Sequence, residues 1–235
     1  HLAGQAGDEV QAADRDQIDQ DLAGNGHIVF IPDHLRQQGC DHGSDKAETS
    51  LKQLSMAQAA GIKTVCATPH FYPNAETVTN FLERRQKCHE VLCANLKEPS
   101  PQILLGAEVL ICDGMDRLDG LEKLCLENTN ELLLEMPFFR WSEEIRETLY
   151  KLNDITDIQI VLAHADRYPA DDIEELIAEG IPLQLNAECL TKPFKRKKYL
   201  SWISDGYVKY LGSDIHMLGN GYREFEKSKK LLGKH

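Results

Sequence analysis

The sequence predicts an α/β protein built on a barrel of parallel strands, each followed by a helix. From His27 onward, short runs of β-branched residues or leucine alternate with amphipathic segments, and this alternation is typical of a parallel sheet. Several predicted helices end just before a glycine, as at Gly61, Gly180 and Gly206, where a left-handed residue terminates a helix. A chain of 235 residues is also long enough to form one barrel domain.

The predicted strands are short and apolar, and the predicted helices fill the gaps between them. The strands are 27–31, 62–67, 102–105, 131–135, 158–163, 181–185 and 207–211. The helices are 45–60, 76–96, 142–152, 171–179, 194–204 and 221–232. About seven such units are enough to close a barrel. Residues 1–26 are polar and acidic, which predicts a separate N-terminal arm before a domain of residues 27–235.

The composition limits the classes of partner and compartment. Lys and Arg total 26 against 38 Asp and Glu, a net charge of -12, which argues against a nucleic-acid partner. The one basic run, Lys195 to Lys198, is interpreted as a solvated surface. No run of eighteen apolar residues and no secretory signal is present, so we expect no membrane span. Seven scattered cysteines without a CxxC pair favour reduced thiols and a cytoplasmic location.

Histidines and carboxylates follow five of the predicted strands. In chain order they are His70, Glu108, Glu135, His164 and the pair Asp214 and His216. Any one of them alone would more often be a structural or surface residue. The carboxyl ends of barrel strands face one mouth, so together these residues predict a shared metal site. Imidazole with carboxylate suits manganese, iron, zinc or cobalt.

Glu135 is the most informative of these residues because core-like residues surround it on both sides, in 132–134 and 136–139. A carboxylate in such a position must be paired or metal-bound. The aromatic residues Phe138, Phe139 and Trp141 are open to two interpretations, core packing or an entrance for an aromatic group.

A cysteine nucleophile is the main chemistry that would compete with a metal site, and its signature is a cysteine with an arginine six positions later. None of the seven cysteines has this spacing; Cys112 comes nearest, with Arg117 one residue too early. Cys66 and Cys189 lie in or beside predicted strands and are interpreted as small core residues.

Six motifs recur in an order and spacing that resemble a known family. They are Ala67-Thr68-Pro69-His70, Gly106-x-Glu108, Leu-Leu-Leu-Glu135-Met-Pro-Phe, Leu162-Ala163-His164-x-x-Arg167, Leu185-Asn186-Ala187 and Gly212-Ser213-Asp214-x-His216. From about Cys40 to the C-terminus the chain resembles the PHP (polymerase and histidinol phosphatase) superfamily. It is most similar to the bacterial manganese-dependent protein-tyrosine phosphatases of capsular and exopolysaccharide biosynthesis. The resemblance implies a distorted (β/α)7 TIM-like barrel with up to three manganese ions at its mouth.

The resemblance also implies which residues hold these ions. The implied metal ligands are His34, His42, His70, Glu108, Glu135, His164, Asp214 and His216. Glu135 would bridge two ions, with Glu108 and His164 on one of them. His70 and His216 would hold the third ion with His42, which stands where this branch usually has aspartate. Asp214 would bind the first ion.

The first-strand motif of the superfamily, Asp-x-His-x-His, is absent, and two alignments of this region stay open. Counting back from Gly43 places Asp33 and His34 near the paired histidines, with His34 one position out of phase. Alternatively, the segment beginning at His27 matches the second family histidine and an insertion follows it.

Two arginines are implied as catalytic residues beside Glu135. Arg167 matches the arginine that binds substrate phosphate, for which a planar guanidinium is well suited. Arg223 either replaces a second such arginine from a shifted position or is a solvent-exposed residue at a helix start.

The implied function is a protein-tyrosine phosphatase acting on a phosphotyrosine-containing protein, specifically a bacterial tyrosine kinase that regulates capsule synthesis. One alternative is a small-molecule phosphatase of the histidinol-phosphate type. The other is a pseudoenzyme that has lost the first metal and serves as a regulatory partner of the kinase. The sequence leaves the oligomeric state open.

Overall fold

The computed structural model describes residues 28–31, 44–155, 157–212, 227, 228 and 231. The strands are β1 Ile28–Ile31, β2 Thr64–Ala67, β3 His70–Phe71, β4 Gln102–Leu105, β5 Glu108–Leu110, β6 Glu131–Glu135, β7 Gln159–Leu162, β8 Leu183–Asn186 and β9 Val208–Gly212. The longer helices are α1 Ser44–Ala59, α2 Val78–Ala94, α3 Glu143–Asn153, α4 Ala170–Ala178 and α5 Pro193–Ser204. The arm 1–26 and most of the predicted helix 221–232 lie outside the described residues.

Every strand pair in the described residues is parallel, which confirms the predicted α/β fold. The hydrogen-bonded order is β1-β2-β4 in one sheet and β3-β5-β6-β7-β8-β9 in the other. Because β3 and β5 follow β2 and β4 after interruptions of two residues, the two sheets form one continuous series of seven strand positions. Residues of β9 lie within 8 Å of β1 between Cα atoms, although hydrogen-bonded pairing of β1 and β9 is not seen among the described residues.

The two strand interruptions determine where the first two candidate ligands lie. Pro69 has no backbone N–H to donate to a neighbouring strand. At Gly106 a Cβ atom would lie 2.6 Å from Leu126 Cδ2 and would crowd that side chain. After each break a short strand resumes, with His70 paired in register with Glu108. The sequence placed both residues in loops after strands; they instead begin β3 and β5.

Local signals in the sequence account for the helix ends. The Thr77 hydroxyl accepts a hydrogen bond from the Asn80 amide at the start of α2, which satisfies one of the unpaired amides of the first turn. Gly61, Gly180 and Gly206 all have positive φ, between 75° and 79°, as predicted for residues that end helices. None of the helices in the described ranges is both long and apolar enough to cross a membrane.

The alternation of side chains along β6 determines which of its residues face the barrel interior. Leu132 and Leu134 pack in the main core between strands and helices, whereas Leu133 packs with Cys66 and Val161 in a separate interior cluster. Because successive strand residues point to opposite faces, Glu131 and Glu135 share the interior face with Leu133. Glu131 lies at one end of the barrel and Glu135 at the other.

The interior at the end away from Glu135 is closed by a polar network. The carboxylate of Glu131 accepts a hydrogen bond from the Tyr210 hydroxyl and forms an ion pair with the Lys209 ammonium. This buried carboxylate is therefore compensated by protein groups. Cys66 and Cys189 are both buried, which confirms their interpretation as core residues.

Candidate metal centre

Four candidate ligands come together on or directly after four neighbouring strands. His70 begins β3, Glu108 begins β5, Glu135 ends β6 and His164 follows β7 directly. These strands are adjacent in the order β3-β5-β6-β7. All four side chains are buried, with His164 only 1% exposed. The structure therefore brings these four side chains together, and their role as metal ligands stays a prediction.

The nitrogen and oxygen atoms of the four side chains face one another at short distances. His70 Nδ1 lies 3.5 Å from Glu108 Oε1 and 3.5 Å from Glu135 Oε2. His164 Nε2 lies 3.3 Å from Glu108 Oε1 and 3.4 Å from Glu135 Oε1. Each carboxylate therefore lies close to both imidazoles.

This donor set fits a divalent metal ion. Imidazole nitrogens and carboxylate oxygens bind zinc at about 2.0–2.2 Å, so two ligands of one ion would lie about 3.0–3.5 Å apart. The four measured N–O distances fall within or at the edge of that range. His70, Glu108 and Glu135 each offer a ligand atom within 4.8 Å of the other two. The division of the ligands between several ions stays a prediction.

These contacts shift the pKa values of Glu135 and His164 in opposite directions. Burial alone would raise the pKa of Glu135, but hydrogen bonds from His164 and His70 lower it to about 2. Burial alone would lower the pKa of His164, but hydrogen bonding to Glu108 and Glu135 raises it to about 9. Below about pH 9, a metal ion that binds His164 must therefore displace a proton, and metal affinity is expected to rise with pH.

The backbone at His164 adopts the left-handed conformation, with φ 34° and ψ 49°. This conformation is unfavourable for a residue with a side chain and persists where surrounding contacts enforce it. The Gln184 side chain on β8 accepts a hydrogen bond from the His164 amide, and Gln184 Nε2 donates to Asn186 Oδ1 at 3.3 Å. The Asn186 amide in turn donates to Asp166 Oδ1 at 2.8 Å. The Gln184 side chain and the backbone N–H of Asn186, both on β8, thus hold the turn that carries His164.

Replacing Gln184 with leucine should weaken metal binding without removing a ligand. The His164 amide would lose its acceptor, and the imidazole would lose its fixed orientation. Loss of an outer hydrogen bond of this kind typically lowers metal affinity by about 10- to 100-fold. Titration with Mn2+ monitored by calorimetry would measure this change. Gln102→Leu, at an exposed position at the far end of β4, is the control and should leave the dissociation constant unchanged.

An aromatic wall borders the cluster on the side of His164. The Phe138 ring stacks on the His164 imidazole, with centroids 5.6 Å apart, and lies 5.8 Å from the Tyr168 ring. Trp141 is buried and donates from Nε1 to the Pro137 carbonyl at 3.0 Å. Phe138 and Phe139, however, are 65% and 73% exposed. The expectation that residues 136–139 are core-like is therefore wrong for these two, because β6 ends at Glu135 and both residues lie in the loop that follows it.

Arg167 lies at the edge of the cluster, in the short 3-10 turn Ala165–Arg167 that follows His164. Its side chain is exposed, yet its charge is close enough to His164 to oppose the protonation of that imidazole. An exposed guanidinium beside buried metal ligands is suited to bind an anionic group of a substrate.

Some predicted site residues lie outside the described part of the chain. They are His34, His42, Asp214, His216 and Arg223. Their roles stay predictions.

The sequence did not identify the residues that support the ligands. Tyr168 accepts a hydrogen bond from the Met136 amide and donates one to the Met136 carbonyl, both at 3.0 Å. Burial raises the pKa of Tyr168 well above its usual value, so the hydroxyl keeps the proton that it donates. The sequence did contain a signal for Gln184, because Gln184 and Asn186 alternate with leucines in β8. Polar residues at every second position of an otherwise apolar strand lie on one face of the sheet and mark it as functional.

The fold and the site together define a barrel protein with a buried histidine–carboxylate metal centre at its mouth. The family model for capsular polysaccharide synthesis proteins of the CpsB/CapC type matches residues 31–235. The chain belongs to this family, which confirms the resemblance seen in the sequence. A search of curated proteins finds no match.

One solved structure supports the same fold. The chain is similar to a structure from work on YwqE from Bacillus subtilis and CpsB from Streptococcus pneumoniae, which are described as unique metal-dependent tyrosine phosphatases. The match has 20% identity and a TM-score of 0.68, and it covers 88% of this chain and 87% of the other. A truncated 3-deoxy-D-arabino-heptulosonate 7-phosphate synthase from Thermotoga maritima has 13% identity and a TM-score of 0.47, over 90% of this chain and 88% of the other.

Proposed function

We propose that this protein is a metal-dependent phosphatase that hydrolyses phosphotyrosine in proteins. The observation that carries the proposal is the buried cluster of His70, Glu108, Glu135 and His164, whose donor atoms lie 3.3–3.5 Å apart. Family membership supports it, as does the fold shared with proteins described as metal-dependent tyrosine phosphatases.

The side chains divide into ligands and a substrate-binding group. When bound, divalent ions lower the pKa of water to about 7 and offset charge on the phosphoryl oxygens. Glu108 and Glu135 supply the negative charge that holds such ions, and His70 and His164 complete the ligand set. Arg167, exposed at the rim, would bind the phosphoryl oxygens through its guanidinium and orient the phosphate toward the cluster.

Three buried cysteines are poorly suited to act as nucleophiles. Burial raises the pKa of Cys66 and that of Cys125 to about 12, and burial also raises the pKa of Cys189. A catalytic cysteine needs the opposite shift, since the thiolate is the nucleophile. This observation supports metal chemistry over cysteine chemistry.

We infer manganese as the metal, and a bacterial tyrosine kinase of capsule synthesis as the phosphotyrosine-containing partner. Histidine with carboxylate is a ligand set suited to manganese, and iron, zinc and cobalt are the chemical alternatives. The family's role in capsular polysaccharide synthesis supports the choice of partner. A cytoplasmic location accords with the six described cysteines, none of which is in a disulfide.

Hydrolysis assays with purified protein test the proposal. With Mn2+ added, the protein should release phosphate from a phosphotyrosine peptide, lose this activity to a chelator and keep it after thiol alkylation. The alkylation control removes cysteine chemistry without touching the metal ligands. Loss of activity on alkylation while bound metal is retained would contradict the proposal. Hydrolysis of histidinol phosphate in preference to the peptide would identify a small-molecule phosphatase, and metal binding without hydrolysis of either would identify a pseudoenzyme.

A further inference from the structure

Phe138 is an exposed aromatic side chain that stacks directly on a candidate metal ligand, His164. Its ring is nearly parallel to the His164 imidazole, at an interplanar angle of 19°. His164 is fully buried beneath it, whereas Phe138 remains 65% exposed. One part of the ring thus covers a metal ligand while the rest is open to solvent at the barrel mouth.

We propose that the exposed part of the Phe138 ring binds the aromatic ring of the substrate and so selects phosphotyrosine over alkyl phosphates. This inference rests on the proposed function and names the residue that sets the substrate class. In an aryl phosphate a single oxygen joins the ring to phosphorus. A phosphoryl group held at the cluster therefore brings the substrate ring against whatever borders the cluster, and on the His164 side that is Phe138.

The position of Phe138 relative to the cluster is fixed by its neighbours. Glu135, a candidate ligand, lies three residues before Phe138, and the Tyr168 hydroxyl accepts a hydrogen bond from the Met136 N–H and donates one to the Met136 carbonyl. The indole N–H of Trp141 donates a hydrogen bond to the Pro137 carbonyl. A ring held in this way loses little conformational entropy when a ligand stacks on it, and this favours binding.

The neighbouring Phe139 provides a matched comparison. It is as exposed as Phe138, at 73%, but it makes no ring contact among the described residues. Exposed single aromatic residues are common on protein surfaces, so exposure alone does not distinguish the two. The stacking of Phe138 on a candidate metal ligand does.

The test compares Phe138→Leu with Phe139→Leu on two peptides that differ only in phosphotyrosine or phosphoserine. Aromatic pairs contribute about 0.5–1.5 kcal/mol, so Phe138→Leu should lower kcat/KM for the phosphotyrosine peptide by about three- to tenfold. Its kcat/KM for the phosphoserine peptide should change by less than twofold. Phe139→Leu should leave both kcat/KM values unchanged. Phe138→Trp, which keeps an aromatic ring, should retain the wild-type preference for the phosphotyrosine peptide.

Two further measurements separate ring binding from a structural effect on the cluster. Bound Mn2+ per chain should be the same in all variants. The dissociation constant of a non-hydrolysable phosphonomethyl-phenylalanine peptide should rise about three- to tenfold in Phe138→Leu.

Four outcomes would overturn the inference. An equal loss on both peptides, or loss of Mn2+, would show that Phe138 only covers His164. An unchanged preference in Phe138→Leu beside an active wild type would overturn the role of Phe138 and leave the proposed function standing. A wild-type protein inactive on both peptides would overturn the proposed function itself, and this inference with it.

Discussion

Replacing Glu135 with glutamine should strip the divalent metal from the protein, whereas the same change at Glu131 should not. Both carboxylates are buried on the interior face of β6, four residues apart. Glu135 lies within 3.5 Å of both imidazoles, and the neutral amide would no longer offset the charge of an ion. Glu131 instead contacts Tyr210 and Lys209, so its loss would affect stability alone.

Metal analysis and thermal unfolding together measure this difference. Free metal at one hundred times its dissociation constant raises the free energy of unfolding by about 2.7 kcal/mol. Added Mn2+ should therefore raise the Tm of the wild type and of Glu131→Gln, but not that of Glu135→Gln. We expect Glu131→Gln to be less stable than the wild type both with and without metal, because it leaves Lys209 without its buried counter-charge. Full metal retention in Glu135→Gln would show that the ligands are wrongly assigned.

Replacing Arg167 with alanine should lower turnover by about a hundredfold or more while bound metal stays constant. The guanidinium is exposed at the rim beside His164, where it would stabilise charge on the phosphoryl oxygens as the bond to the leaving group breaks. Removing one such donor typically lowers kcat by about 100- to 1,000-fold. Arg167→Lys should recover only part of the rate, since an ammonium cannot make the paired hydrogen bonds of a guanidinium.

The matched control for this change is Arg84→Ala. Arg84 lies on helix α2 and is ion-paired with Glu76 at 2.5 Å, away from the four ligands in the fold. Steady-state kinetics should show a wild-type kcat for Arg84→Ala, and metal analysis should show equal Mn2+ content in all three proteins. A wild-type turnover in Arg167→Ala would contradict the role assigned to this arginine.

The sequence predicted the alternation of strands and helices because that signal is local. Positive φ at Gly61, Gly180 and Gly206 follows from the glycine-ended helices. The short strands β3 and β5 were not predicted, because two or three residues carry too little periodicity to be recognised. Their formation depends on pairing between His70 and Glu108, which is a contact between distant parts of the chain.

The type of residue that follows each strand predicted that His70, Glu108, Glu135 and His164 would come together, and the structure places their donor atoms 3.3–3.5 Å apart. Their role as metal ligands stays a prediction. The supporting contacts were not predicted, because they depend on neighbours from other strands. Gln184 reaches the His164 amide across twenty residues of sequence. Phe138 was open to interpretation as core or as entrance, and its exposure depends on the path of the chain after Pro137, which hydrophobicity does not reveal.

The central claim is that His70, Glu108, Glu135 and His164 share bound metal. Crystals of the protein grown with Mn2+ and measured near the manganese absorption edge would test this claim most directly. We expect an anomalous difference peak among these four side chains, within about 2.2 Å of a ligand atom of at least three of them. Manganese peaks located elsewhere, with no peak among these side chains, would contradict the account.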